Sequence, residues 1–520
     1  MSVYSPATTL QQFEVTMLFA LNPNDGCAYQ PRRLKTLLWA GVVMAISTFP
    51  LHAQESLLRG SIDDNFNAIG GDFSANQSDL SGDSGFSQSD GNDRFYNADP
   101  DLTPVDNIRT SAIGPISPPD RESSTRENLP QPAEQGRQVN ADEDPFAPIG
   151  IRAGSFILRP SLEQGIRATS NGSNGPNGSS AVLSETTLRV DARSDWSRHE
   201  ANINASGTLS ESISGENVSQ PRMDIQSGLR LDITEQTAIR ATGNYHLRRE
   251  SASNPNSIIG ALKRPIVQTI GGSLGAEHDT GLIFGSADAR IQRNIYGNAK
   301  LASGGSLSQK DRDNTYASIL LRSGFAISPA LKPFVELELG KRKFDETIDR
   351  NGYERSGTQY ALRGGLMFDR GEKFNGEIAA GYMRANFDDS RLSDISGPSI
   401  SARINWSPLR GTDVNLFAQT VVDTSTSPDI SGSLLYFASI DVTHRVRSDL
   451  SLTGRLDLDM RDNKDGSGHD YTIGAQIGAT YWINRFMGID ARLRHEFLNS
   501  QVAWREYRSN SIYVGMKLQR

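Results

Sequence analysis

The feature that most constrains the fold is a two-residue alternation of apolar and polar side chains, which recurs from about residue 151 to the C-terminus. Between residues 450 and 460, apolar residues and one glycine occupy the even positions. Serine, threonine, arginine and aspartate occupy the odd ones. Because successive side chains of a strand point to opposite faces, this pattern predicts strands with one apolar and one charged face. The same alternation recurs at 224–232, 471–477, 487–494 and 512–518.

The charged face decides between two all-β architectures. In a soluble propeller or sandwich, that face would lie in an inner layer, and each unpaired charge there would cost several kcal/mol. In a wide membrane barrel it meets water, while the apolar face meets lipid. No apolar run beyond residue 60 is long enough for a membrane-spanning helix, and only 36% of the chain is hydrophobic. The sequence therefore favours the membrane barrel.

The connections between the alternating segments indicate the number of strands. Short turns are predicted near residues 195, 234, 279, 329, 371, 409, 448 and 484. They alternate with longer polar loops at 170–180, 250–262, 298–311, 345–355, 388–394, 424–431, 463–469 and 499–505, and a shorter loop near 214. Short turns on one side and longer loops on the other are typical of outer-membrane barrels. We predict an all-β fold: a closed antiparallel transmembrane β-barrel of about 16–18 strands, with a disordered N-terminal periplasmic arm.

Two further segments precede the barrel. Residues 1–53 are predicted to be a targeting region with a signal peptide at about 32–53, since Arg32, Arg33 and Lys35 precede an apolar stretch that ends at Ala53. Residues 54–143 are predicted to be an acidic, disordered arm, because residues 55–150 carry 18 acidic side chains against six arginines, a net charge of −12. The barrel is assigned to 144–520. Export would place it in the cell outer membrane with the arm in the periplasm.

The sequence offers no enzymatic centre and no cofactor or metal site. Cys27 is the sole cysteine and lies before the predicted cleavage point, which excludes disulfides and cysteine-based metal sites from the mature chain. His469, next to Asp470 and near Asp465, lies in a predicted loop without a marked nucleophile. The run 462–466 resembles half of a calcium loop, but Lys464 occupies a ligand position. We expect no enzyme activity.

The polar face of the predicted strands is the candidate functional surface. We expect its charged side chains to line the lumen, either as a cross-strand charge lattice that holds the wall together or as rows that orient anionic or sugar solutes; both can hold at once. The predicted lumen-lining residues are Arg189, Arg193, Arg230, Arg240, Asp288, Arg290, Glu336, Glu338, Arg363, Arg403, Arg455, Asp457, Asp490, Arg492 and Arg494.

A segment before the first long strand resembles a known family. The run Asp-Pro-Phe-Ala-Pro-Ile-Gly-Ile-Arg-Ala-Gly-Ser-Phe at 144–156, followed by Leu-Arg-Pro-Ser-Leu-Glu at 158–163, is similar to the start of the outer-membrane β-barrel porin-2 family of proteobacteria. The resemblance implies a signal peptide, a polar arm and a barrel that continues to the C-terminus. Some members of that family are associated with export of surface polysaccharide. Arg520 departs from the aromatic residue that ends many such barrels.

Two functions from different classes follow from these expectations. The first is a channel for small polar solutes or for surface-polysaccharide export, with the loops at 250–262 and 298–311 as candidate constrictions. The second is a non-conducting structural barrel that anchors or organises the envelope through its acidic arm. The expected partners are outer-membrane lipid, the barrel-assembly machinery, a polar solute or polysaccharide, and a periplasmic protein that meets the arm. Alternatively, the arm enters the lumen. Nothing indicates nucleic acid.

Overall fold

The computed structural model describes residues 145–251, 254, 256–258, 261–301, 304–464, 466, 468–502 and 505–520. The predicted targeting segment and acidic arm, and Asp465, lie outside the described residues. Eighteen long strands form the body of the described chain. In chain order they are Phe156–Thr169 (β1), Ala181–Ser194 (β2), Glu200–Gly215 (β3), Ser219–Asp232 (β4), Thr237–Arg249 (β5), Ile266–Asp279 (β6), Ile283–Tyr296 (β7), Asn314–Phe325 (β8), Leu331–Phe344 (β9), Gly357–Asp369 (β10), Phe374–Phe387 (β11), Ile395–Leu409 (β12), Thr412–Thr424 (β13), Gly432–Arg447 (β14), Leu450–Asn463 (β15), His469–Asn484 (β16), Met487–Asn499 (β17) and Tyr507–Gln519 (β18).

The strands form one closed antiparallel barrel. Each strand pairs with the next along the chain, and β18 pairs with β1 from Ser161 opposite Gln519 to Thr169 opposite Ser511. Closure leaves no unpaired sheet edge, which is the condition for a sheet to lie in lipid. The predicted fold class is confirmed at the upper end of the predicted strand count. Eight short turns alternate with nine further connections at the predicted places, so both ends of the barrel lie at the short-turn rim.

The two faces of the wall differ as the alternation requires. In β9, Val335, Leu337 and Leu339 are 56%, 36% and 42% exposed, whereas Glu336 and Glu338 between them are 1% and 2% exposed. A soluble protein shows the reverse pattern, because water disfavours exposed aliphatic side chains. The exposed aliphatic face is therefore the one that meets lipid, and the charged face lies inside the barrel.

The segment before β1 reinforces the seam between the first and last strands. A short strand, Ile151–Ala153, pairs with β1 residues 156–158, beyond the point where pairing with β18 ends. Upstream of it, Arg485 Nε donates to the carbonyl oxygen of Pro145 over 2.8 Å. The side-chain amide of Gln519 likewise donates to the carbonyl oxygen of Phe146 over 2.8 Å. Residues 145–153 thus bind both sides of the seam at the short-turn rim.

At the opposite rim, two long connections are joined by a small sheet. Ala299–Leu301 pairs with Ala261–Lys263 from the β5–β6 connection and with Ser306–Leu307 from its own β7–β8 connection. We call the described residues of these two connections, 250–251, 254, 256–258, 261–265, 297–301 and 304–313, the lid. A single turn of 3₁₀ helix, Lys310–Arg312, completes it before β8. Among the described residues, no helix is both long and apolar enough to cross a membrane.

Candidate functional site

The predicted lumen-lining residues share one face of the barrel wall. The register places Glu336 opposite Arg363, Arg230 opposite Arg240, and Arg403 opposite Glu377. Followed from strand to strand, the same register puts all fifteen on the face away from the exposed aliphatic side chains.

A first network of ion pairs crosses β8 to β12. Glu336 accepts hydrogen bonds from Arg363 and, over 2.8 Å, from Arg322. Arg322 also pairs with Glu377 over 2.7 Å, three strands away. Arg363 continues to Glu338 over 3.1 Å and to the Ser399 hydroxyl over 3.0 Å. Arg322 is absent from the predicted set because adjacent Leu320 and Leu321 obscure the alternation in β8; Glu377 on β11 was not selected either.

A second network crosses the seam. Glu163 on β1 accepts hydrogen bonds from Arg492 on β17 and from Arg189 on β2, the latter over 2.9 Å. Farther along the wall, Arg494 pairs with Asp457 over 3.0 Å and with Glu496 over 2.6 Å. Charges in low-dielectric surroundings are tolerated when they are paired and hydrogen-bonded, as these are. Glu163, which the sequence analysis did not select, therefore ties the first two strands to the penultimate one.

A third network lies on β4 to β6 and is more open to solvent. Glu277 accepts from Arg230 over 2.8 Å and from Arg240 over 2.6 Å, and Arg230 also pairs with Asp232. Side chains in this group are 20–34% exposed, compared with 13% or less in the first network. Across all three networks arginines alternate with carboxylates, so the inner wall combines high polarity with local charge neutrality.

The lid reaches across the opening at the long-loop rim. Asn256, in the β5–β6 connection, donates from Nδ2 to the carbonyl oxygen of Thr424 over 3.3 Å. Its Oδ1 accepts from the Ser425 hydroxyl over 2.8 Å and from the backbone amide of Thr426 over 3.4 Å. Thr424 ends β13, eight strands from β5 in a ring of eighteen. Almost opposite points of the rim are thus joined through one asparagine.

Further contacts connect the lid with its neighbours. A buried ion pair joins Arg312 to Glu250 over 2.7 Å and so links the two halves of the lid. Asp311 pairs with Arg350 of the β9–β10 connection over 2.6 Å. Arg264 donates to the carbonyl oxygen of Ser173 in the β1–β2 connection over 3.1 Å. The lid thereby contacts loops from three other parts of the rim.

The loop that receives Asn256, residues 425–431, is ordered by one buried guanidinium. Arg355, 2% exposed, donates to the carbonyl oxygens of Ser425, Ile430 and Ser427 over 2.5, 2.7 and 2.7 Å. Its Nε donates to Asp349 over 2.5 Å. Burial raises the pKa of Asp349, but hydrogen bonds from Arg355 and from backbone amides outweigh it and hold that pKa below 3.8. The charged pair therefore persists at neutral pH.

The described residues that were considered for catalysis or metal binding make separate contacts. His469 lies 3.3 Å from Asp462, while Asp470 accepts instead from Ser500 and Arg505. In the part of the chain that the structure describes, no three histidine, cysteine or acidic side chains are placed to hold a metal ion.

The chain is similar, at low sequence identity, to a number of solved structures, among them the following three bacterial proteins. The outer membrane protein opdK from Pseudomonas aeruginosa aligns at 11% identity and a TM-score of 0.35, covering 70% of this chain and 99% of that one. A BenF-like porin from Pseudomonas fluorescens aligns at 12% and 0.34, covering 70% and 99%. The FrpB iron transporter from Neisseria meningitidis aligns at 9% and 0.35, covering 65% of this chain and 63% of that one.

The search of curated proteins found no match. A family model described as "Putative beta-barrel porin 2" matches residues 144–520, which include the segment before β1, every barrel strand and the C-terminus. This match spans well over half of the chain and coincides with the closed barrel. The chain therefore belongs to the β-barrel porin 2 family and is a porin-like barrel of the outer membrane.

Proposed function

We propose that this protein is an outer-membrane channel for small polar solutes, with a mouth restricted by the lid. The observation that carries the proposal is the inner wall, on which ion-paired arginines and carboxylates recur on β1, β2, β4 to β6, β8 to β11, β15 and β17. Barrels of 16–18 strands are wide enough to hold an aqueous lumen. A wall of that polarity stabilises water and hydrated solutes and disfavours apolar ones.

The charge arrangement supports weak selectivity between ions. Arginines such as Arg363 and Arg494 are each hydrogen-bonded to carboxylates, so the field of each cation is largely compensated a few ångströms away. Selective ion channels instead use rings of one sign of charge. We expect comparable permeability for K⁺ and Cl⁻, and passage of neutral solutes such as sugars.

The lid favours small solutes, rather than an exported polysaccharide, as the class of molecule that is transported. Asn256 reaches almost the opposite side of the rim, and the lid contacts loops around it. A polymer in transit would require those contacts to stay open for the whole passage. A small solute requires only a gap beside them or a brief opening.

Purified protein in planar bilayers tests the proposal. The expected result is discrete current steps with a K⁺/Cl⁻ permeability ratio close to one, and a liposome-swelling response to small sugars that falls with solute size. Absence of both current steps and swelling from correctly folded, heat-modifiable protein would contradict it.

A structural, non-conducting barrel is the second candidate. The ion-pair networks and the lid favour it, because both also suit a closed and rigid wall. Deletion of residues 60–140 distinguishes roles for the acidic arm, for which we propose a periplasmic location. A large rise in conductance would indicate an arm that enters the lumen. Unchanged conductance with a loss of envelope integrity would indicate a periplasmic partner.

A further inference from the structure

The contact between Asn256 and the opposite rim has the geometry of a ligand in a site. Its carboxamide is bound at both ends: the carbonyl oxygen of Thr424 accepts from Nδ2, while the Ser425 hydroxyl and the Thr426 amide donate to Oδ1. One acceptor and two donors in this arrangement complement an amide group. A carboxylate would lose the contact with Thr424 and meet a lone pair there instead.

The receiving groups are held in place independently of Asn256. Arg355 binds three carbonyl oxygens within the 425–431 loop, and Tyr353 donates to Asp429 over 2.5 Å. Asn351 donates to the carbonyl oxygen of Thr426 over 2.8 Å from the other side. Preorganised groups lose little entropy when they bind a partner, so this loop can recognise the same chemistry from any source.

A small cavity lined by polar side chains adjoins the contact. A cavity of about 30 Å³ borders Asn256, Thr424 and Ser425 and extends to Arg461, Asn463 and Arg505. That volume accommodates about one water molecule and grows if the asparagine leaves. The remainder of a polar solute would meet the guanidinium and amide groups that line this cavity.

The docked tip of the lid carries an unsatisfied group. Asn254 is fully buried, and its Nδ2 has no hydrogen-bond partner in the described structure. Its Oδ1 accepts from the backbone amide of Asn256 over 2.8 Å, which couples the two asparagines. A buried, unpaired donor costs about 1–3 kcal/mol. The docked position of the lid tip is therefore less stable than its hydrogen bonds alone would make it, and a competing ligand can displace it.

We propose that Thr424, Ser425 and Thr426 form a binding site for the amide group of a transported solute, occupied in the closed state by Asn256 as an internal ligand. The solute class is a neutral, hydroxyl-rich molecule that carries a carboxamide, such as an N-acetylated amino sugar. Binding of its acetamido group displaces Asn256 and releases the tip of the lid. This inference rests on the proposed transport function and names its substrate class.

Binding is measured first, without transport. Saturation-transfer NMR on the detergent-solubilised full chain uses N-acetylglucosamine as the probe, with glucose as the control sugar. We expect saturation transfer to the acetyl methyl group and little to glucose. Removal of the internal competitor in Asn256→Ala should strengthen binding about tenfold, since a tethered group acts at millimolar effective concentration. Ser425→Ala, which removes one donor, should weaken it about tenfold.

The matched control is Asn405→Ala, since this asparagine lies near the short-turn end of β12, where its side chain donates to Asn375. It should leave the affinity for N-acetylglucosamine within twofold. Amide hydrogen exchange across 425–431 verifies that each variant keeps the loop folded. Equal binding of N-acetylglucosamine and glucose, or no gain in Asn256→Ala with an intact loop, would overturn the inference.

Transport is measured separately in planar bilayers. N-acetylglucosamine should raise the open probability of the unaltered channel, and Asn256→Ala should be open without it. Selective binding without any current would refute the transport function and leave the site in place. Current that does not respond to Asn256→Ala or to N-acetylglucosamine would refute the internal ligand and leave the channel in place.

Discussion

Replacement of Arg355 by methionine removes the group that orders the 425–431 loop while keeping most of the side-chain volume. The change eliminates donors to three carbonyl oxygens and to Asp349, all in a site where Arg355 is 2% exposed. Breaking a buried, hydrogen-bonded charge pair typically costs about 3–5 kcal/mol. The carbonyl oxygens of Ser425, Ser427 and Ile430 would then depend on water that must enter the loop.

This loss should appear as local opening, because the loop lies outside the closed wall of the barrel. At about 1.4 kcal/mol per tenfold, it corresponds to faster amide exchange in 425–431 by about 100-fold to several thousand-fold. The measurement is hydrogen exchange followed by mass spectrometry, on protein whose heat-modifiable gel mobility is unchanged. Protection that falls by less than about fivefold, the scale of an ordinary surface pair, would refute the role assigned to Arg355.

The pair of Arg355 and Asp349 also predicts how the stability of the loop depends on pH. Because the pKa of Asp349 is held below 3.8, its contribution to loop stability is fully present above that value and is lost as pH falls through the lowered pKa. Loop protection should therefore stay constant from pH 7 to about 4 and decline below. The control for Arg355→Met is Arg384→Ala, which breaks an exposed ion pair with Asp394 in another loop. It should change amide hydrogen exchange in that loop only slightly.

Two further substitutions test the wall and the seam. Glu336→Gln leaves Arg322 and Arg363 without their shared carboxylate, which should cost about 3–5 kcal/mol of barrel stability. The expected result is a lower temperature at which heat-modifiable mobility is lost. Exposed Glu346→Gln is its control, and equal effects would contradict the network. Gly150→Ala places a Cβ 2.7 Å from the Ile157 side chain at a φ of +78°, so residues 145–153 should detach and become open to protease. Gly364→Ala, where a Cβ meets open space, should be neutral; cleavage in both or neither would show that the seam contact is unimportant.

The alternation allowed the wall to be predicted but not the networks on it. A period of two fixes which side chains share a face, and this is why strands such as β15 and β17 could be assigned from local sequence. It fails where two apolar residues are adjacent, as at Leu320 and Leu321, and so Arg322 was missed. Partners were not predictable, since Arg492 and Glu163 are 329 residues apart and meet only when the barrel closes.

The lid illustrates the same limit at the rim. Length and polarity marked residues 250–262 and 298–311 as long loops and candidate constrictions. Their small sheet and the contact of Asn256 with the opposite rim depend on how a ring of eighteen strands places its connections. No local pattern distinguishes Asn256 from other loop asparagines, because the groups it binds follow more than 160 residues later.

The sequence by itself determined that this chain forms a membrane barrel, since short-range alternation fixes which side chains meet lipid and which meet water, independently of long-range contacts. Only the tertiary structure decided which charges pair, how residues 145–153 reinforce the seam, and which loop crosses the mouth. Those outcomes depend on strand register and ring closure, which bring together residues hundreds of positions apart and which side-chain periodicity leaves undetermined.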